Sequence, residues 1–590
     1  MKFQFVLKVG FDTDSDDSSW KKRFEIDKKY LSFVSLFALS VLIKLVLFTV
    51  KINDGFSFDV IYPNEPLLGF LMGYSIYFGV ALLFVALGLF SKHFWPAFLL
   101  DLILDIWILA NLLSMRIHGL MITGYDFRLI DNMDGFWDSV IAFITFTDIL
   151  MFLSTGAFIY VYIKFIKPHK KRWIVAIPLL ALSILLIFIK PLKFNSLWGM
   201  PTNFLTQLNI TGEGRDWFAK HYSIFFNLLG EIHFYNTLDK IPRHMELSTE
   251  EKNEITAHMV KPAGKDSLKD NLLIIFVESM EGWTLMNQIN GQEITPNINA
   301  LCRRNAIYGS SMRAQVQRGS SSDAQLIVNT GLMPLVYEAV CFAYVNNYYY
   351  SIGDAMMRHG SHNMIMIPTE GTAWNQNKIS KPWGMPTIHS KQYSDEELFN
   401  DLATAFDTIQ EPFMIETVTM ASHSPFVLYA GLSNLDIPSG LPIFKENYIK
   451  SLNYTDRCIG EFIEKVKNNP KFARTTIVIL GDHCIFSDRE EFDNSEIGRT
   501  LHANRGDFIP FIISSPNNIK ESKEFAPEAF QFDIYPTLLS LFKMDNYPWR
   551  GLGRDLSKDP FDPNFDTNAA NISERIIRND FFRSSMEEYK

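Results

Sequence analysis

Three short stretches of this chain end apolar runs in residues that bind metals or phosphates. LLIIFVE stops at Glu278, TTIVILGDH stops at Asp482 and His483, and FMIETVTM leads into ASHSPF, with His423 just past the run. Carboxylates and an imidazole are ligands for a divalent cation. A fourth stretch, RGSSSDAQL from Arg318 to Leu326, sets three serines and an aspartate ahead of helix-compatible sequence. As plain structure this is an N-cap, which Ser and Asp both favour. As chemistry it is a helix N-terminus whose N–H groups and partial positive charge suit a phosphate. A serine there, beside a bound metal, could act as a nucleophile.

These residues need a scaffold that brings them together. Continuous apolar runs read as strands buried on both faces, as in a parallel sheet. Ligands of open α/β sheets gather beyond the carboxyl ends of the strands. Further strand candidates begin at Asn363, Phe413 and Phe508, and the segments DEELFNDLATAFDTI and FKENYIKSLNYTDRCIGEFIEKVKNN between them are helical in pattern. The alternation predicts a doubly wound, mostly parallel α/β sheet with helices on both faces.

The remainder is of a different kind. The chain has 590 residues, which implies more than one domain. Five stretches reach membrane-spanning length: Tyr30 to Val50, Leu67 to Phe90, Pro96 to Ser114, Ser139 to Ile166 and Trp173 to Phe194. The third is interrupted by Asp101 and Asp105, one helical turn apart, which are expected to make a polar contact inside a helix bundle. Lys21, Lys22, Arg23, Lys28 and Lys29 precede the first span, and Lys167, Lys170, Lys171 and Arg172 fill the loop after the fourth. The positive-inside rule then puts residues 1–29 in the cytoplasm and everything after the fifth span outside. The first residues carry an Asp/Ser run and no apolar core, so the first span is expected to stay as an anchor. Residues 195–267 read as a connector, with FFNLLGEIHFYNTL as an amphipathic helix at the membrane surface or against the soluble domain. A net charge of −10 and the lack of a basic stripe with interleaved aromatics argue against nucleic acid as a partner. Cys302, Cys341, Cys458 and Cys484 have spacings that suggest neither a disulfide framework nor a zinc knuckle.

With these residues in place, the stretch from about 268 to 556 resembles the lipoteichoic acid synthases, membrane-anchored glycerophosphate transferases within the alkaline phosphatase and sulfatase superfamily. The matching segments are IFVESMEGWTLMNQINGQEITPNINAL, RGSSSDAQLIVNTGLMPL, TMASHSPF, VILGDHCIF, QFDIYPTLLSLF and WRGLGRDL. The resemblance implies a five-helix membrane domain over residues 30–194, an extracytoplasmic sulfatase-like catalytic domain over 268–560 and a tail over 561–590, in a bacterial cytoplasmic membrane. It implies one divalent ion, manganese or magnesium with zinc as a further option, held by Glu278, Asp482, His483 and the nucleophile. The family's Thr nucleophile falls on Ser321, with Ser320 and Ser322 leaving the assignment open by one position. The family's Lys just before that Thr is Ser320 here. His423 matches a histidine that contacts the substrate phosphate, and Trp374 a tryptophan of the head-group pocket. The arginine normally two residues later is Gln376.

The activity implied is transfer of a phosphoglycerol head group from a membrane phospholipid to an envelope glycan or lipid acceptor, through a phosphoserine-type intermediate. The losses of charge at Ser320 and Gln376 keep phosphoethanolamine transfer, to lipid A or an envelope glycan, open beside it. A sulfatase would need a Cys or Ser in a C/S-x-P-x-R context, which does not surround Ser321. A decayed, glycan-binding domain would be expected to lose its ligands first.

Overall fold

The computed structural model describes residues 28–52, 66–118, 121–127, 140–141, 143–166, 173–197, 219, 223–238, 242–261, 269–391, 394–424, 426–485, 496–501, 508–558 and 565–585. The chain separates into two compact units. One comprises residues 1–113, 120–122 and 144–234; the other comprises 114–119, 123–143 and 235–590.

The first unit is helical. Each expected span falls on a helix: α1 (Lys28–Ile52), α2 (Pro66–Phe90), α3 (Trp95–His118), α4 (Phe146–Phe165) and α5 (Trp173–Leu197). Among the described residues three of them, Lys28–Ile52, Trp95–Arg116 and Phe146–Phe165, are long and apolar enough to cross a membrane. In α2 and α5 the shorter apolar stretches Tyr74–Phe90 and Trp173–Ile189 are described. Asp101 and Asp105 do meet a partner inside the bundle. Lys44 of α1 bonds Asp101 Oδ2 at 3.0 Å and Asp105 Oδ1 at 2.7 Å. The Thr155 hydroxyl of α4 lies within 2.8 Å of both carboxylates. Three helices are thus tied by charges that would be very costly to bury singly. The FFNLLGEIHFYNTL segment is the helix Ile224–Leu238, whose Asn227 accepts a hydrogen bond from Trp107 Nε1 at 3.1 Å. The basic residues 21–23 and 167–172 lie outside the described residues.

The second unit is built on a mixed, mostly parallel sheet. Its strands are β1 (Asn271–Val277), β4 (Ala306–Arg313), β5 (His362–Ile367), β6 (Thr387–Ser390), β7 (Phe413–Val418), β8 (Thr475–Gly481), β9 (Phe508–Ser514), β10 (Lys523–Glu524) and β11 (Ala529–Phe530); the two-residue strands β2 (Gln288–Ile289) and β3 (Gln292–Glu293) pair apart from it. The order is β10-β4-β9-β8-β1-β7-β5-β6, with β11 on β4. All seven residues of β1, and all seven of β8, are buried, as their unbroken apolar runs require. β9 runs antiparallel to both β8 and β4. The two expected helices are Asp395–Thr408, capped by Ser394, and Ile443–Val466. Leu398, Leu402 and Phe406 of the first pack with Leu452, Ile459 and Phe462 of the second in the core beside the sheet.

Two features tighten this scaffold. Asp456, buried in the helix Ile443–Val466, accepts from the N–H groups of Asn297 and Ile298. It thereby caps the helix Pro296–Cys302, so the EITPNIN motif is structural. The expected tail carries the helix Phe565–Asn579, whose buried Arg578 pairs with Glu338 at 3.0 Å. All four cysteines are buried thiols and form no disulfide.

Candidate active site

Strand register brings the loaded ends together. β1 and β8 are neighbours aligned with Val277 opposite Gly481, so Glu278 and Asp482 leave the sheet side by side. β7 flanks β1 on its other edge with Val418 opposite Phe276, and its continuation holds the Glu278 backbone. The Glu278 N–H donates to Thr419 Oγ1 at 3.0 Å, and Ser422 Oγ donates to the Glu278 carbonyl at 2.6 Å. A Cβ at Gly481 would collide with the Met280 carbonyl, so glycine lets the two strand ends approach this closely.

Glu278, Asp482 and His483 each offer a ligand atom, and these atoms all lie within 4.8 Å of one another. His483 Nε2 is 3.6 Å from Glu278 Oε1 and 3.5 Å from Asp482 Oδ2. Its Nδ1 is 3.1 Å from the Cys484 carbonyl. A carbonyl only accepts, so that contact assigns the ring proton to Nδ1 and turns Nε2 toward the carboxylates. Asp482 Oδ1 accepts the N–H groups of Ser279 and His483 at 2.8 and 2.7 Å, whereas the buried Oδ2 has no hydrogen-bond partner among the described residues. Burial, and then the charge of Glu278, push the Asp482 carboxyl up to about 6. Burial opposes charge on His483, but Asp482 and Glu278 outweigh it and hold the ring above its ordinary pKa. Two buried carboxylates and an imidazole that together draw in positive charge, one oxygen of them unsatisfied, fit a divalent cation.

Ser321 is the first residue of the helix Ser321–Thr330. Its hydroxyl lies close enough to Asp482 to favour the charged carboxylate, which links the helix N-terminus to the strand-end cluster. The three serines now differ. Ser322 is buried and turned to the Cys341 thiol. Ser320 precedes the helix at φ 42°, a conformation costly for a residue with a Cβ. Ser321 is half-buried at the N-terminus. Asp323 fixes the turn before them, its Oδ2 accepting the N–H groups of Gln317 and Gly319, each at 2.8 Å. A side chain at Gly319 would collide with that carboxyl.

His423 follows β7, and its Nδ1 lies 2.8 Å from the Ser424 carbonyl. Burial chiefly, with the nearby His483 charge, lowers its pKa, which places the ring electrostatically beside the cluster. Trp374 and Asn375 adopt left-handed backbone at φ 47° and 55°, and the half-buried Trp374 ring sits 6.1 Å from Phe342. Ser279, Ser320, Trp374, Asn375 and Phe426 all have positive φ; strain of this kind gathers where a site overrides local preference. Gln376 is buried, its amide bonded to Gln325, and Gln325 and Asn329 in turn donate to the buried Glu416 of β7 at 2.8 and 2.7 Å.

Sequence reasoning overlooked Arg318 and the segment Thr123–Phe127. Arg318 Nη1 lies 3.7 Å from Asp126 Oδ1, and the Ala339 N–H donates to the Tyr125 hydroxyl at 2.6 Å. No apolar periodicity marks either residue; the available signal was TGYDF, a polar turn with two aromatics between apolar helices.

Comparison with known proteins bears on the fold. The sulfatase family model matches residues 270–544. Lipoteichoic acid synthase of Staphylococcus saprophyticus is 22% identical over 587 residues, 91% of this chain and 86% of that protein. The lipoteichoic acid synthase-like protein YvgJ of Bacillus subtilis is 22% identical over 366 residues, 56% of this chain and 58% of the relative, so that match spans less than two thirds of its length. The fold is similar to that of the integral membrane lipooligosaccharide phosphoethanolamine transferase A of Neisseria meningitidis, with TM-score 0.52, 14% identity, and 87% of this chain and 95% of the other covered. Residues 270–544 thus match the sulfatase family model, in a chain that carries helices apolar enough to cross a membrane and is similar to the lipoteichoic acid synthases.

Proposed function

We propose that the protein transfers a phosphoglycerol head group from a membrane phospholipid to an envelope glycan or lipid acceptor, with Ser321 as the covalent carrier. The observation that carries this reading is the cluster of Glu278, Asp482 and His483 within 4.8 Å, with the Ser321 hydroxyl beside Asp482 at a helix N-terminus. Lipoteichoic acid synthase relatives support the reaction class.

Glu278, Asp482 and His483 would hold a divalent ion, manganese or magnesium with zinc as an alternative, which would supply positive charge to offset that of the phosphoryl group. Ser321 Oγ attacks phosphorus: the Oγ–P bond forms, the P–O bond to diacylglycerol breaks, and the serine proton ends on the departing oxygen. An acceptor hydroxyl then attacks the phosphoserine; its O–P bond forms, the P–Oγ bond breaks, and its proton returns to Ser321. His423, whose pKa burial lowers, contacts the substrate phosphate. The helix N-terminus offsets phosphate charge, and Trp374 lines the head-group pocket. The apolar helices hold the domain where its donor resides, with the N-terminus cytoplasmic, five crossings, and the catalytic domain outside.

Phosphoethanolamine transfer remains the second reading, because Gln376 is buried in a bond to Gln325 and supplies no charge to the pocket. One experiment addresses both. The full-length protein is incubated with manganese in vesicles of mixed phospholipids, and the 318–326 peptide is weighed by mass spectrometry. The expected result is an adduct whose mass is that of phosphoglycerol, absent in Ser321→Ala, with turnover reduced at least about a thousandfold. An adduct of phosphoethanolamine mass selects the second reading. No adduct and no diacylglycerol from metal-loaded protein sinks both.

A further inference from the structure

The nucleophile loop has a cation that the sequence motif does not announce. Position 320 is an uncharged serine, yet Arg318 stands two residues earlier in the same turn. That turn is rigid: Asp323 holds the N–H groups of Gln317 and Gly319, and the Ser320 N–H donates to the Gln317 carbonyl at 3.4 Å. The Arg318 side chain is only 20% exposed, and among the described residues its one ion-pair partner is Asp126.

Asp126 belongs to the stretch between α3 and α4, yet residues 123–143 are part of the catalytic unit. Its placement is over-determined. Asp126 Oδ2 accepts from the Thr123 N–H at 2.6 Å and the Thr123 hydroxyl at 2.9 Å. The neighbouring Tyr125 is buried, its hydroxyl accepting from the Ala339 N–H. Tyr125 also feels the charge of Asp323, so the segment lies against the turn that carries Arg318.

We infer that Arg318, oriented by Asp126, is a head-group-binding residue that reads the hydroxyls of a phosphoglycerol donor beside Ser321. This rests on the phospholipid-donor reading above. The guanidinium has five N–H donors in a planar fork, and a single long contact to Asp126 leaves donors for hydroxyl oxygens. The pair is neutral overall. Thr123 holds Asp126 Oδ2, and the Arg318 charge 3.7 Å from Oδ1 offsets that of the carboxylate, which weakens its attraction for an ammonium. A neutral polyol head group matches this arrangement; an aminoethyl group does not. Asp126 is a positioning residue, acting through Arg318.

The test uses full-length protein with manganese in vesicles containing either phosphatidylglycerol or phosphatidylethanolamine, with diacylglycerol release followed against donor mole fraction. Arg318→Gln is expected to lower kcat/KM for phosphatidylglycerol about 10- to 100-fold, the loss typical of a hydrogen bond to a charged group. It should leave manganese affinity unchanged and erase the preference between the two lipids. Arg318→Lys should recover part of the loss. Asp126→Asn should fall between wild type and Arg318→Gln and add little in the Arg318→Gln background. Should Arg318→Gln fail to fold, Arg318→Lys and Asp126→Asn carry the same comparison. Wild-type kinetics in Arg318→Gln, or an equal loss on both lipids, overturns the assignment while leaving Ser321 chemistry intact. Failure of the wild type to release diacylglycerol from either lipid instead removes the donor reading beneath it.

Discussion

Glu278→Gln separates stability from metal binding with opposite signs. The ligand atoms of Glu278 and Asp482 lie within 4.8 Å, so at an effective dielectric constant of about 20 their repulsion is at least about 3.5 kcal/mol when both are charged. Asp482, with its pKa near about 6, is ionised at pH 8, where the experiment is set. Glutamine removes the repulsion and keeps an oxygen for the bond from Ser279 Oγ. The metal-free variant is therefore expected to melt at or above the metal-free wild type. Its response to manganese should collapse. Removing even a group that only orients a ligand weakens metal affinity about 10- to 100-fold, so losing a carboxylate ligand should cost at least about 100-fold. At manganese 100-fold above the wild-type Kd, stabilisation drops from about 2.7 to about 0.4 kcal/mol. At about 2–4 °C per kcal/mol, the wild type gains about 5–10 °C and the variant about 1 °C. Thermal melting of the detergent-solubilised full chain, with chelator and with manganese, measures all four states. A metal-free variant that melts well below wild type would show Glu278 to be a structural carboxylate, and a full manganese shift in the variant would refute the ligand assignment.

Two further predictions probe the supports of the site and of the membrane helices. Burial pushes the Glu416 carboxyl up to about 7, against the opposing bonds from Asn329 and Gln325. A raised folded pKa means stability that is present below the unfolded pKa, near about 4.3, and lost as pH rises through about 7; wild-type melting should therefore fall more steeply than that of Glu416→Gln between pH 5 and 8, and parallel curves would contradict this. Lys44→Met should destabilise by about 3–5 kcal/mol, because Asp101 and Asp105 lose their cation in a buried setting; Lys44→Met with Asp105→Asn should regain part of it, and unchanged melting of the single variant would mean the cluster is solvated.

How much of this was readable beforehand depends on how local each signal was. β1, β7 and β8 could be read because a strand buried on both faces needs an unbroken apolar run, and such a run shows where it stops. Glu278, Asp482 and His483 follow at once, since neighbouring parallel strands deliver their ends to one edge. β4 escaped notice: AIYGSSMR is mixed in character, and its register with β9 shifts between Gly309 and Met312. The antiparallel run of β9 escaped for another reason, since strand direction is set by how the chain returns rather than by composition. Among the three serines, residue type was silent. The difference lies in the Asp323 carboxyl that shapes the turn, the Cys341 thiol that takes Ser322, and the backbone that strains Ser320. Arg318 and Asp126 lie far apart in sequence, and no periodicity joins them. Motif reading at position 320 therefore registers a lost charge, whereas the fold returns a cation to the same turn from position 318, held by a segment that sequence alone assigns to a membrane loop. If Arg318 binds the head group, specificity in this chain is set partly by residues between its membrane helices, and transplanting motifs within the catalytic domain alone would not transfer it.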